Sequence, residues 1–473
     1  MEYIDAIKKD DILNQIIPLL EGTEACLVGG YIRDLIIYGT KSADRDIIIK
    51  SDNTREKAEE IAKKLGLYFV PLDEENQIYR LIFKDKINYI DIAKMLNNSF
   101  EEDIKRRDFT INAIAYDLKN EKIIDLTGGI EDIKNKRIRE IDKQNFVDDS
   151  LRMLRLFRFI SKTGFSASDE LFDYIKLNHK RIATCSKERI NTEIMKLFEG
   201  DYSAQTLLKM DETGMLEFLF PYLKEIKKIP PNTHHHLDLF HHLIETVSQI
   251  EKHIKEESQE IRDYFSQTDF GATNRISHLK FAAFFHDIGK PSTWTIEPET
   301  GRHRFIKHDD VGSKLIIPIL KEYKFSKKQI DYIKSIIKYH IYPSALVHDS
   351  ERNEKTTMRF FRKTEGFTLD LIKIARADRL SARGEAVSEE MVKNNLEKLE
   401  ELKTSYLKSK EEIKPLEKLL DGFEIMEILN IERGKELGRI ISELKEAQIS
   451  GEVTTKKEAT EFIKKLNQPL KNQ

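Results

Sequence analysis

Cysteine is nearly absent from this sequence: the 473 residues include two, Cys26 and Cys185. Two cysteines build no disulfide framework and suit a reducing compartment. Proline is scarce as well, 11 in all, which leaves long stretches free to run as helix. No apolar run approaches the ~20 residues that a membrane-spanning helix requires. The opening "MEYIDAIKKDDILNQ" lacks the apolar core of a secretion signal. These absences predict a cytoplasmic chain with no membrane contact. Net charge is only −3, so a nucleic-acid partner must be met by local basic patches, not by a globally basic surface.

What is present is charge and apolar content in balance, 34% against 40%, over a length too great for one core. Two to four domains are expected. The fold class expected is α+β, with a mixed α/β head followed by all-helical parts. Candidate strands lie at 24–29, 46–50, 67–72, 78–83 and 87–92, with a helix over 54–66 ending at Gly66. The head is expected over 1–125 and a helical neck over 126–230, closed by Pro230-Pro231. A His-rich helical domain over 231–385 and a helical tail over 386–473 follow. Most of the 13 histidines fall between residues 234 and 308.

The first chemical signal is "CLVGGYIRDLIIYGTKSADRDIIIK", residues 26–50. Residues i and i+2 of a strand point the same way, so Asp44 and Asp46 converge on one spot at the head of Ile47-Ile48-Ile49. Their repulsion calls for a cation between them, and the candidate is a divalent metal. Gly29-Gly30 lets the backbone approach an anionic ligand, a following helix start offers N–H donors to phosphate, and Arg33 adds positive charge. Carboxylates holding Mg²⁺ against a triphosphate is a recurring solution for nucleotidyl transfer. Asp91 in "NYIDI" is a candidate third carboxylate, and Arg106 and Arg107 in "DIKRRDFTINA" are candidates to face phosphate and ribose.

Together "LVGGYIRD", "ADRDI", "EEDIKRRDFTINAIAYDL", "IIDLTGGIEDIKNKRIREI", "FVDDSLRMLRLFRF" and "SKERINTE" resemble the class II tRNA nucleotidyltransferase and bacterial poly(A) polymerase superfamily. The pieces stand in family order from residue 24 to about 195. The resemblance implies that Asp44 and Asp46 bind Mg²⁺ with Asp91 beside them. It further implies that Asp149 and Arg152, the acid and arginine of "DDSLR", select the incoming base. Residues i and i+3 share a helix face, and a carboxylate beside a guanidinium suits the edges of cytosine and adenine but not of uracil or guanine. Asp108, Asn112 and Arg155 join the nucleotide-binding set. Arg189 and Glu193 of "SKERINTE" brace the pocket from a neighbouring helix. The implied substrates are CTP, ATP and the acceptor end of tRNA; no protein partner is predicted. Residues 176–190 carry five Lys or Arg against one acidic residue, a candidate phosphate track.

One departure bears on the product. Only "AKMLNNSF", residues 93–100, separates the "YIDI" strand from "EEDIKRRD". Relatives that add all of CCA usually carry a longer, flexible segment here, and those adding only the two cytidines lack it. The resemblance thus implies addition of C and/or A of the CCA end, with the short connector putting the final adenosine in doubt and the choice among CCA, CC and A addition open. A poly(A) polymerase is the alternative.

"LDLFHHLIETV", "FAAFFHDIGKPSTW", "RFIKHDDVGSKL", "IIKYHIYP" and "ARADRLSARG" resemble an HD-type phosphohydrolase domain over 231–385. The resemblance implies that His242, His286, Asp287 and Asp378 hold a divalent metal of unspecified identity, with His308 and His340 placed for a second. A phosphohydrolase acting on RNA 3′ ends or nucleotides is the reading from a different class.

Overall fold

The computed structural model describes residues 2–41, 43–410 and 418–466. The expected tail positions at 411–417 and 467–473 lie outside the described residues. Chain contacts divide it into two units, Met1–Pro221 and Tyr222–Gln473.

The first unit is built on a seven-stranded sheet in the order β3-β4-β5-β2-β1-β6-β7. Its strands are β1 (Ala25–Val28), β2 (Asp44–Ile49), β3 (Tyr68–Asp73), β4 (Ile78–Ile82), β5 (Tyr89–Lys94), β6 (Ala115–Asp117) and β7 (Lys122–Ile124). Only the central pair β2–β5 is parallel. Ile47, Ile48 and Ile49 are all buried there; helix Gly30–Tyr38 joins β1 to β2, and helix Thr54–Leu65 with β3 and β4 makes the crossover from β2 to the parallel β5. Strand alternation decides the fate of Arg45. It points away from its two acidic neighbours and is buried against Asp10, Nη2 to Oδ2 2.9 Å, with Tyr31 Oη donating to the same oxygen at 2.8 Å. The expected strands and the helix at 54–66 agree with the observed elements to within two residues.

After the sheet the unit turns helical. Helix Leu151–Thr163 buries Leu151, Leu154, Phe157 and Ile160, and packs against the helices Lys187–Glu199 and Ser203–Glu212. Its arginines at 152, 155 and 158 recur every three residues and so rise along one edge of that apolar stripe.

Among its described residues the second unit is helical apart from one hairpin, Trp294–Ile296 with His303–Phe305. Helices Leu239–Ile254, Arg275–Phe284, Lys327–Tyr339 and Thr368–Ser381 carry its interior. Asp370, fully buried, pins three of its parts. It accepts from Arg275 Nε at 2.9 Å, Tyr264 Oη at 2.6 Å and Tyr332 Oη at 2.5 Å. A separate apolar cluster, including Ile425, Ile440, Leu444 and Ile463, closes the C-terminal helices. No helix among the described residues is long and apolar enough to cross a membrane.

Candidate active site and a second metal-ligand cluster

Register places the acids. On parallel strands Asp46 pairs with Asp91 and Asp44 with Tyr89, and carboxylate oxygens of Asp44, Asp46 and Asp91 lie within 4.8 Å of one another. Burial pushes the Asp46 carboxyl up to about 7, with Asp44 and Asp91 adding to the rise. Burial and then Asp91 raise Asp44 as well. Carboxylates crowded this way, with Asp44 and Asp46 both resisting ionisation in the absence of a cation, offer hard oxygen donors matched to Mg²⁺. Gly29 is required beside them. Its φ is +78°, and a Cβ there would stand 2.8 Å from Asp46 Oδ2, so an alanine would be both strained and in collision.

Asp44 and Asp46 open into a cleft of about 910 Å³, the upper size range for a small-molecule site. The cleft wall also contains Gly29, Gly30, Arg33, Arg106, Arg107, Asp108, Asn112, Asp149, Arg152 and Arg155. The structure thus brings together residues spread over more than a hundred positions. Asp91 and Arg189 are not in the wall.

The arginines are held by buried acids. Asp103, fully buried, accepts Arg106 Nη2 and Arg107 Nη2 on its two oxygens, each at 2.9 Å. Asp108 accepts Arg155 Nε at 2.7 Å and Asn112 Nδ2 at 2.9 Å, while Arg33 Nη1 donates to Asn112 Oδ1 at 2.6 Å. Burial alone would raise Asp108, but Arg155 and Asn112 bring its carboxyl down to about 2. Asp149 and Arg152 are each fixed by a third party. Arg189 Nη2 donates to Asp149 Oδ2 at 2.7 Å, and Arg152 Nη1 donates to the Asn145 carbonyl at 3.0 Å. Glu193 meets Arg158 Nε at 3.1 Å.

Sequence reasoning passed over Asp103, Arg80 and Lys196. Asp103 stands in a quoted motif but reads as one charge among many. Arg80 forks Asp91 from β4, a pairing that depends on strand register. Lys196 reaches the cleft wall from a helix about 150 residues after the acids.

In the second unit, ligand atoms of His242, His286 and Asp287 lie within 4.8 Å of one another, as do those of Asp287, His308 and His340. Asp378 Oδ1 lies 3.1 Å from His242 Nε2 and 3.6 Å from His286 Nε2. His235 joins His242 and Asp378 in a third such group, a member that sequence reading did not single out. Gly289 makes the centre possible. A Cβ there would lie 2.0 Å from the His308 carbonyl, so only glycine lets that segment approach Asp287. Buried Nε2 of His242 and His286 and Oδ1 of Asp287 make no well-aligned hydrogen bond despite these near neighbours, as atoms converging on an ion do. Burial opposes charge on His286, yet Asp287 and Asp378 push it up to about 10. Mixed imidazole and carboxylate donors fit several divalent metals.

Residues 25–139 match the family model "Poly A polymerase head domain". Residues 164–227 match "Probable RNA and SrmB- binding site of polymerase A", and 311–463 match a second domain of tRNA nucleotidyltransferases. The chain belongs to the class II CCA-adding enzyme and poly(A) polymerase superfamily. It is 28% identical over 450 residues to an A-adding tRNA nucleotidyltransferase of Deinococcus radiodurans, covering 93% of this chain and 95% of that one. It is also 28% identical over 452 residues to a CC-adding tRNA nucleotidyltransferase of Thermus thermophilus, covering 94% of each. The fold is that of the Thermotoga maritima CCA-adding enzyme complexed with tRNA, with TM-score 0.54, 22% identity and 98% of each chain covered. A CCA-adding enzyme with CTP gives TM-score 0.55 at 21% identity over 99% of this chain and 98% of that one. Both of these structures thus share the fold over nearly the whole of this chain.

Proposed function

We propose that the chain is a template-independent tRNA nucleotidyltransferase that adds the two cytidines of the 3′-terminal CCA from CTP. One observation carries the reaction class: a single cleft holds the acidic pair on β2, a cage of arginines, and the Asp149–Arg152 pair. The tRNA 3′-hydroxyl oxygen attacks the CTP α-phosphorus, a new O3′–P bond forms, and pyrophosphate leaves. Gly29 and Gly30 give the triphosphate room to approach the backbone and the N–H groups opening helix Gly30–Tyr38. Arg106 and Arg107, oriented by Asp103, meet phosphate charge. Asp149 accepts the cytosine N4 amino group while Arg152 donates to N3 and O2. Asp44 and Asp46 would hold Mg²⁺, which supplies Lewis acidity toward the hydroxyl and the leaving pyrophosphate. A cytoplasmic setting fits this tRNA chemistry.

The restriction to CC rests on the connector. Only Met95–Ser99 link β5 to helix Phe100–Lys105, as a short turn with Asn97 and Asn98 at φ +50° and +53°. No length remains there for a lever that reshapes the base pocket between C and A. The test uses tRNAs ending before CCA, after C and after CC, each with CTP, ATP or both. Extension that stops at CC is expected. Addition of a single A to the CC end would overturn the restriction, and ATP-only tailing of unrelated RNA would mark a poly(A) polymerase.

A second activity is supported by the His242, His286, Asp287 and Asp378 cluster. We infer a metal-dependent phosphohydrolase centre in the second unit, where His242, His286, Asp287 and Asp378 would hold a divalent metal that supplies Lewis acidity toward a phosphate. Metal analysis of the purified chain should find a divalent ion that Asp287→Ala loses. Hydrolysis of 2′,3′-cyclic or 3′-phosphate ends should fall with it while CTP transfer persists.

A further inference from the structure

The three carboxylates of the transfer site are not equivalent. Asp44 and Asp46 line the cleft, and Asp91 does not. Asp91 stands in a cross-strand row. It pairs with Asp46 on one side and with Arg80 on the other, and directly opposed residues share one face of a sheet. Arg80 takes both oxygens of Asp91, Nε to Oδ1 and Nη2 to Oδ2, each at 2.7 Å. Its guanidinium also lies 4.0 Å above the Tyr89 ring, and Tyr89 is the register partner of Asp44. A planar fork held on two sides is among the more rigid cationic groups a protein can make. Its charge also bears on both Asp44 and Asp46, lowering each.

We propose that Arg80 is an internal counter-cation that withholds Asp91 from metal. Asp44 and Asp46 then anchor the ion largely alone, so the site binds metal weakly until a triphosphate arrives with its own oxygen ligands. This deepens the nucleotidyltransferase reading and rests on it. Arg80 acts through Asp91 and touches no substrate; it is a positioning residue.

The experiment is Mn²⁺ binding to the full chain, followed by electron paramagnetic resonance without nucleotide. Binding at this site is the part abolished by Asp44→Asn, which separates it from the histidine cluster. If Asp44→Asn abolishes nothing even with CTP present, the transfer-site reading itself fails. Arg80→Gln should tighten that part by about five-fold or more, because a competing charge is gone and Asp91 is released. In a double-mutant cycle, Arg80→Gln in an Asp91→Asn background should give less than about two-fold. Arg80→Lys keeps the charge but cannot hold both oxygens, and it should give a smaller gain of the same sign. An unchanged or weaker Mn²⁺ affinity in Arg80→Gln overturns the proposal. So does a gain that persists without Asp91, which would reduce Arg80 to a through-space charge.

Discussion

Arg189 Nη2 holds Asp149 Oδ2 at 2.7 Å, tying helix Lys187–Glu199 to the turn that precedes helix Leu151–Thr163. The bridge is half exposed at its arginine, with 53% of that side chain accessible, so its worth to stability is about 1 kcal/mol or less. Its value is orientation. Held this way, Asp149 keeps one oxygen on Arg189 while Oδ1 also accepts from the Leu151 N–H at 3.2 Å.

Arg189→Ala should therefore leave the melting temperature nearly unchanged while eroding base choice. Asp149→Ala should cost about 10- to 100-fold in the CTP-over-UTP ratio of kcat/KM, the scale of one good base-edge contact. Arg189→Ala should cost a smaller share in the same ratio. Steady-state incorporation of the two nucleotides into tRNA lacking CCA measures both.

The acidic pair predicts a pH dependence of stability. Burial pushes the Asp46 carboxyl up to about 7 in the folded chain, above the 3.8 of an ordinary aspartate. Below 3.8 both states are protonated and nothing is lost. Between about 4 and 7 the unfolded chain ionises first, so folding is progressively disfavoured as pH rises. In chelator, the stability of Asp46→Asn relative to the native chain should grow across that window. It should lose transfer activity while still binding tRNA. Urea titrations at pH 4, 5.5 and 7 read the first, filter binding the second.

Asp108 runs the other way. Its carboxyl, buried and held near 2 by Arg155, contributes stability that is complete above the unfolded value and is lost only as pH falls toward 2. Arg155→Ala leaves that carboxylate buried with Asn112 and one backbone N–H, the Phe109 donor at 2.8 Å. Loss of about 3 kcal/mol is expected from stranding a buried charge, measured by denaturant unfolding at pH 7. Arg155→Lys should recover part of it.

In the second unit, Asp370→Asn strips the only carboxylate that Arg275 Nε, Tyr264 and Tyr332 all share among the described residues. A cost of about 3–5 kcal/mol is expected, because the buried Arg275 keeps the Gly366 carbonyl but, as a counter-charge, only the partly exposed Asp269 at 2.9 Å among the described residues. Calorimetry should show a lowered transition, and CTP transfer assayed at low temperature should persist because Asp370 belongs to the other unit.

Local pattern carried much of this protein. Alternation on β2 aims Asp44 and Asp46 together and Arg45 away; no distant residue is needed for that. The i, i+3 spacing keeps Asp149 close to Arg152, although Asp149 sits in the extended turn before the helix and not on its face, and an HD dipeptide two residues before glycine marks a tight turn. Those features are short-range consequences of strand and helix geometry. What joined them was long-range. Asp91 reaches Asp46 because β5 lies parallel to β2, and Arg80 reaches Asp91 because β4 turns back antiparallel. Asp103 became the clamp of two arginines once its carboxylate was buried, and Asp149 gained its brace from a residue 40 positions away. Register and burial arise when elements pack, so one-dimensional spacing does not contain them. The same packing set Asp46 near neutrality and Asp108 near 2, two aspartates that look alike in the chain.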